Sequence, residues 1–266
     1  MNRVTRPPSR SVGLVAIAVL VAVVALVGCT DGESDSTRDP IRLVRPDCGS
    51  GVGSDITKQR SGQVVLVHLP ACYDRTSTRY PTIYLVHGSG ADEQQWIDLG
   101  LTAQADRLVR IAATGPAIIV MPREGEASSS TEARNLVDDV VPWADANFRT
   151  VPDRTRRAVG GISRGGEAAL KAAADRPDLF GAVGGHSPTL PDDLEQLVVG
   201  LRPLSGRIWL DVGSDDHLRR EVAPFAAELD GSGTRAALTI GQGDHDRAYW
   251  SSEVERYLDF YAGAWR

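Results

Sequence analysis

Ser163 sits in the run Gly160-Gly161-Ile162-Ser163-Arg164-Gly165-Gly166, which contains the pattern Gly-x-Ser-x-Gly. An apolar stretch, residues 156–160, precedes it, and residues 167–174 read as helix. A serine on a sharp strand-to-helix turn is forced into a crowded backbone geometry that flanking glycines relieve. Its hydroxyl then stands above the sheet, close to the helix N-terminus and to the backbone N–H of the next residue. The chemistry this arrangement suits is nucleophilic attack on a carbonyl carbon. A serine hydroxyl is a weak nucleophile, so it needs a base to take its proton and a carboxylate to orient that base.

The chain has five histidines. His245 lies in the polar glycine loop Gly241-Gln242-Gly243-Asp244-His245-Asp246, after the last strand-like run and before the final helical segment. Few structural roles call for a histidine there, and it is the expected base. His68 reads as a sheet-face residue, His87 as part of a turn before Gly88, and His217 as the opening of a helix. His186 ends the strand-like run next to the elbow and is the substitute base. In the chain order Ser, Asp, His, the acid belongs to Asp211-Val212-Gly213-Ser214-Asp215-Asp216-His217. Asp211 reads as strand, which leaves Asp215 and Asp216, and spacing does not choose between them. Two backbone N–H groups must also face the developing oxyanion. Arg164 N–H supplies the first, and Ser89 N–H in the loop Gly88-Ser89-Gly90 supplies the second, with Gly90 next.

The elements that must position these residues alternate in type. Residues 64–69, 82–87, 117–121, 156–160, 180–186, 207–212 and 236–240 read as strands. Residues 94–112, 131–148, 167–174 and 252–265 read as helices, with Pro142 expected to kink the second. Residues 49–53, although glycine-rich, read as loop. Such alternation implies an α/β fold with a mostly parallel central sheet and helices on both faces. Sites in these sheets form at the carboxyl ends of the strands, where all the candidate residues fall.

Several ordered motifs carry a family resemblance. Pro81-Thr82-Ile83-Tyr84-Leu85-Val86-His87-Gly88-Ser89-Gly90, with Trp96 beyond it, resembles the opening of the esterase D-like family of α/β-hydrolases. Leu69-Pro70-Ala71-Cys72-Tyr73-Asp74 resembles that family's Leu-Pro-x-x-Tyr turn. The elbow followed by Arg176-Pro177-Asp178-Leu179-Phe180, and Gly243-Asp244-His245 followed by Trp250, are similar to its later motifs. The resemblance spans residues 60–266. It implies the α/β-hydrolase fold and ester hydrolysis or acyl transfer, with Ser163 as nucleophile and His245 as base. The family's acid closes a Gly-x-x-Asp, which implies Asp216 here. Acetyl and feruloyl esterases, S-formylglutathione hydrolases and secreted mycolyltransferases share the family, so its members do not fix a substrate. Where the family usually has Pro-Asp-Gly after the fourth strand, this chain reads Met121-Pro122-Arg123-Glu124-Gly125.

The rest of the sequence bounds the setting. A chain of 266 residues suits one large domain, and a net charge of −6 without a basic face argues against a nucleic-acid partner. Residues 1–29 read as a targeting signal: Arg3, Arg6 and Arg10 precede an uncharged stretch ending in Leu26-Val27-Gly28-Cys29, which resembles the lipobox of bacterial lipoproteins. Lipidation at Cys29 would anchor the chain to a membrane, and an uncleaved anchor helix is the other reading of this stretch. Either places the domain outside the cytoplasm. Residues 30–40 contain no apolar side chain that could join a core and read as a tether, with the catalytic domain over 41–266. In an oxidising compartment Cys48 and Cys72 are expected to form a disulfide. The expectation is therefore a lipid-anchored serine esterase needing neither metal nor organic cofactor. An acyltransferase and a non-catalytic binding lipoprotein on the same fold are its rivals.

Overall fold

The computed structural model describes residues 51–125 and 128–265. The expected signal segment, tether, lipidation site Cys29 and Cys48 lie outside the described residues. Cys72 is buried, with the Tyr80 hydroxyl 3.6 Å from its sulfur. No helix among the described residues is long and apolar enough to cross a membrane.

Eight strands form one sheet: β1 (Ser54–Arg60), β2 (Gln63–Leu69), β3 (Thr82–Val86), β4 (Ile118–Pro122), β5 (Arg157–Ile162), β6 (Ala182–His186), β7 (Ile208–Gly213) and β8 (Ala236–Gly241). Their order across the sheet is β1-β2-β4-β3-β5-β6-β7-β8. β2 pairs antiparallel with β1 and β4, and β4, β3, β5, β6, β7 and β8 run parallel. This is the mostly parallel α/β-hydrolase sheet that the alternating pattern implies.

The central strands read as continuous apolar runs because both of their faces are buried. Successive side chains point to opposite faces, so Tyr84, Val120, Val159, Val183 and Leu210 meet one helical layer while Ile83, Leu85, Ile119, Ala158 and Trp209 meet the other. Helices α3 (Ser129–Asn135), α4 (Val141–Asn147), α5 (Arg164–Asp175), α6 (Leu194–Leu201) and α7 (Arg219–Gly231) contribute buried side chains to the first core. The second core belongs to α1 (Gln95–Asp98), α2 (Leu101–Arg110) and α8 (Arg247–Gly263).

The structure departs from the sequence pattern at four places. β1 (SDITKQR) carries one apolar residue and was not expected. It is an edge strand joined to β2 through Ser61 and Gly62, both at positive φ (48° and 83°), a tight hairpin turn. The expected helix over 94–112 is split by Gly100, at φ 87°, into α1 and α2. Within 131–148, a wide π turn (Leu136–Val140) precedes Pro142, whose ring has no N–H to offer the helix ladder. The final helix begins earlier than expected, because the Asp246 carboxylate accepts from Tyr249 N–H at 2.9 Å and caps it at Arg247.

The hairpin strand β1 also supports a buried charge. His68 on β2 bonds through Nδ1 to Asp55 Oδ1 at 2.8 Å, and its Nε2 lies 3.5 Å from Asp106 Oδ1 on α2. Burial alone would lower its pKa, but the two carboxylates outweigh it and raise the value from 6.5 to about 9. Folding therefore favours the protonated ring. This contribution is complete below pH 6.5 and is lost as pH climbs through about 9. Urea midpoints should fall across that window by the equivalent of about 3 kcal/mol at most, and His68→Gln should flatten the profile.

Candidate active site

Ser163 follows β5 directly, at φ 55° and ψ −122°, and begins α5. A non-glycine residue in this region costs about 1–3 kcal/mol and persists only where its surroundings fix it. Ser163 N–H donates to His186 O at 2.9 Å, and Ser163 O accepts from Gly166 N–H (2.9 Å) and Thr189 N–H (3.2 Å). A Cβ on Gly161 would lie 2.1 Å from Gly165 O, and one on Gly165 would lie 2.4 Å from His87 O. The elbow can close this tightly only with glycine at both positions.

Gly160 serves a different purpose. A Cβ there would fall 1.6 Å from the Tyr261 hydroxyl, and one on Gly184 would fall 2.5 Å from it. The two glycines open a slot in the sheet through which Tyr261 on α8 reaches His186 Nε2 at 2.7 Å. His186 Nδ1 in turn bonds to Asp211, whose second oxygen accepts from Tyr249 (3.0 Å) and Tyr257 (3.1 Å). Burial first, and then the Asp211 charge, push these tyrosines' pKa values up, so all three remain neutral donors. His186 is fully buried within this network, and its ring packs against Tyr257 with centroids 3.8 Å apart. The substitute base of the sequence reading is thus a structural side chain with both ring nitrogens occupied.

The loops that carry Asp216 and His245 are built together at the ends of β7 and β8. Ser214 N–H donates to Gly241 O (2.6 Å) and Asp215 N–H to Gly243 O (2.8 Å). Gly213 allows the approach, since a Cβ there would meet Gly243 O at 2.4 Å. The result joins Asp216 to His245, with Nδ1 to Oδ2 at 2.9 Å, while Asp216 Oδ1 accepts from Leu218 N–H at 2.8 Å. The Asp216 side chain is 0% exposed and that of His245 is 20% exposed. Asp215 is exposed and accepts from Ser214 Oγ instead. Burial, which spacing does not encode, separates the two aspartates.

Trp250 links this pair to the strand beside the elbow. Its ring meets His245 edge to face at 5.0 Å, and its Nε1–H donates to Ser187 Oγ at 3.2 Å, one residue beyond the carbonyl that holds Ser163. Ser187 is buried at φ 45°. No sequence motif marked it.

On the opposite side, Gly88 packs against the elbow, where a Cβ on it would lie 3.6 Å from Ser163 Cβ. Gly88 N–H donates to Gln95 Oε1 at 2.8 Å, while Ser89 and Gly90 are exposed beyond it. His87 accepts from Glu124 N–H at Nε2 (3.0 Å), so its Nδ1–H donates to Gly88 O (2.9 Å). Arg123 bonds to buried Glu93 and to Asp92 (3.1 Å). The departing residues 123–125 therefore fasten the loop of Ser89. They also reach Arg164, whose Nη2 approaches Gly125 O (3.4 Å) and whose Nε pairs with buried Glu132 at 3.0 Å. Burial raises Glu132 to about 7, against the Arg164 charge. A cavity of about 300 Å³ opens beside these loops, bordered by Gly90, Asp92, Gln95, Asp98, Arg247 and Trp250.

Residues 60–260 match the model of the family described as "Putative esterase". The chain belongs to this esterase family. Among related esterases, the protein named Esterase Rv1288 of Mycobacterium tuberculosis is 37% identical over 163 residues, which are 56% of this chain and 34% of that protein. An endo-1,4-beta-xylanase/feruloyl esterase of Xylanibacter ruminicola is 31% identical over 134 residues, 45% of this chain and 18% of that protein. The matches thus span about a third or less of these longer relatives. A solved ferulic acid esterase superposes with a TM-score of 0.74 at 22% identity, covering 81% of this chain and 100% of that one, and so shares the α/β-hydrolase fold.

The slot for Tyr261 gives a direct test of the site's foundation. Gly160→Ala places a methyl group on the tyrosine hydroxyl, and overpacking of this kind costs about 1–3 kcal/mol or more. A lowered thermal midpoint in calorimetry is expected, whereas an unchanged midpoint would show that the slot is not filled.

Proposed function

We propose that the domain is an extracytoplasmic serine esterase that hydrolyses a carboxylic ester through an acyl-enzyme intermediate. The observations that carry the reading are the Asp216–His245 hydrogen bond of 2.9 Å, with Asp216 fully buried and His245 half-buried, and the strained, glycine-flanked Ser163 at the end of β5. Family membership and relatives with esterase in their names support the same chemistry.

In this mechanism Ser163 Oγ attacks the ester carbonyl carbon as His245 Nε2 takes its proton. Asp216 holds His245 Nδ1–H, fixing the tautomer that leaves Nε2 as acceptor, and stabilises the imidazolium that forms. The N–H groups of Ser89 and Arg164 face the oxyanion; each such donor is worth about 100- to 1,000-fold. Among the described residues neither group donates to a backbone carbonyl. The tetrahedral adduct collapses, the alcohol leaves with the proton from His245, and the acyl group remains on Ser163. Water then attacks the acyl carbon, with His245 as base, and releases the carboxylic acid. The hydrophobic leader and Leu26-Val27-Gly28-Cys29 support placing this chemistry at a membrane surface, through lipidation of Cys29. Cys48 and Cys72 would then form a disulfide in the oxidising compartment.

Hydrolysis of nitrophenyl esters of graded acyl length tests the assignment. Ser163→Ala should abolish turnover, and Asp216→Ala should lower kcat about 10⁴-fold. Asp215→Ala, at an exposed position, should stay within about twofold of the wild type. Equal losses for the two aspartates would contradict the assigned acid.

A further inference from the structure

The acid and base of the proposed triad have a third neighbour that the mechanism does not use. His217 follows Asp216 directly, and its side chain is 72% exposed. Its Nδ1 stands 3.5 Å from Asp216 Oδ1, and its ring meets that of His245 edge to face at 5.0 Å. One donor atom from each of Asp216, His217 and His245 lies within 4.8 Å of the others. Zinc bonds to imidazole nitrogen and carboxylate oxygen are about 2.0–2.2 Å long, so two ligands of one tetrahedral ion stand about 3.4 Å apart. His217 Nδ1 is 3.5 Å from Asp216 Oδ1 and His245 Nδ1 is 2.9 Å from the other carboxylate oxygen, Oδ2, so each imidazole stands within about 0.5 Å of that separation from one oxygen of the acid. Closing the remaining distance takes a rotation of His217, an exposed side chain.

Resting on the triad reading above, we propose that Asp216, His217 and His245 form an inhibitory site for a borderline-soft transition-metal dication, with Zn²⁺ as its probe. Two imidazoles and one carboxylate are the donor set that zinc accepts and that magnesium and calcium, which take oxygen ligands, do not. A cavity of about 450 Å³ lined by Ser214, Asp215, Asp216, His217, Arg219 and Arg220 gives the ion an approach from solvent and room for a water as fourth ligand. The arginines bordering it oppose a cation. Arg219 is turned onto Ser214 O at 2.5 Å, and Asp215 offsets part of their charge.

The inhibition has a defined origin. In the free enzyme His245 carries its proton on Nδ1, donated to Asp216, and Nε2 is the acceptor that catalysis needs. A metal on Nδ1 takes that nitrogen's lone pair and breaks the bond to Asp216. The ring's single proton then resides on Nε2, which becomes a donor and cannot receive the serine proton. No proton is gained or lost by the protein, and the block reverses when the metal leaves.

The test uses the whole domain in two readouts. Nitrophenyl acetate hydrolysis should be inhibited by micromolar ZnCl₂, restored by EDTA and indifferent to MgCl₂. His217→Ala should retain the wild-type rate without metal and raise the half-inhibitory ZnCl₂ concentration at least about tenfold, as expected for a lost metal contact. Calorimetric titration of ZnCl₂ into the Ser163→Ala protein reads the site without turnover. One ion per chain, weakened by His217→Ala in that background, is expected. Absence of binding there, or identical zinc sensitivity with and without His217, would overturn the site. A wild-type protein that binds zinc but hydrolyses no ester would instead overturn the triad reading and leave the metal site standing.

Discussion

The architecture depends on how closely backbones approach one another at the carboxyl ends of β5, β6 and β7. Ser163 holds a conformation that L-residues rarely adopt, and it does so because its N–H is committed to the carbonyl of His186 while Gly161 and Gly165 leave no Cβ in the way. Remove any of these and the serine is free to relax toward an ordinary helix start. The same closeness recurs at Gly213, which lets the Asp216 loop lie on the His245 loop. The site is thus a set of backbone contacts first and a set of side chains second.

Beneath it lies a buried polar network that is costly unless complete. Asp211, His186, Tyr249, Tyr257 and Tyr261 satisfy one another, with a single carboxylate accepting from two phenols and an imidazole. These bonds pin α8 to β6 and β7. Because α8 begins two residues after His245 and carries Trp250, fixing the helix also holds the His245 loop. Arg123, Glu93, His87 and Gln95 perform the corresponding task for the glycine loop after β3.

Much of this was legible in the sequence, and the exceptions share a cause. The elbow, the histidine loop and the strand alternation are local patterns, written in glycine spacing and apolar runs, and the structure places them as expected. β1 was missed because a polar edge strand carries no alternation; only its Ser61-Gly62 turn hinted at a hairpin. Asp216 and Asp215 are chemically identical neighbours until burial distinguishes them. Ser187, Gln95 and Glu132 matter through partners 63, 7 and, across the elbow, 32 positions away, and no one-dimensional period encodes such contacts. Gly160 reads as part of the elbow motif, yet its reason is a tyrosine near the end of the chain.

The central claim is that Ser163 is the nucleophile activated by this scaffold. Its most direct test is to treat the protein with a fluorophosphonate and locate the adduct by peptide mass spectrometry. The account predicts one equivalent of phosphonate on the peptide containing Ser163, with none after mild denaturation. No adduct on the folded protein, or an adduct at another residue, would contradict it.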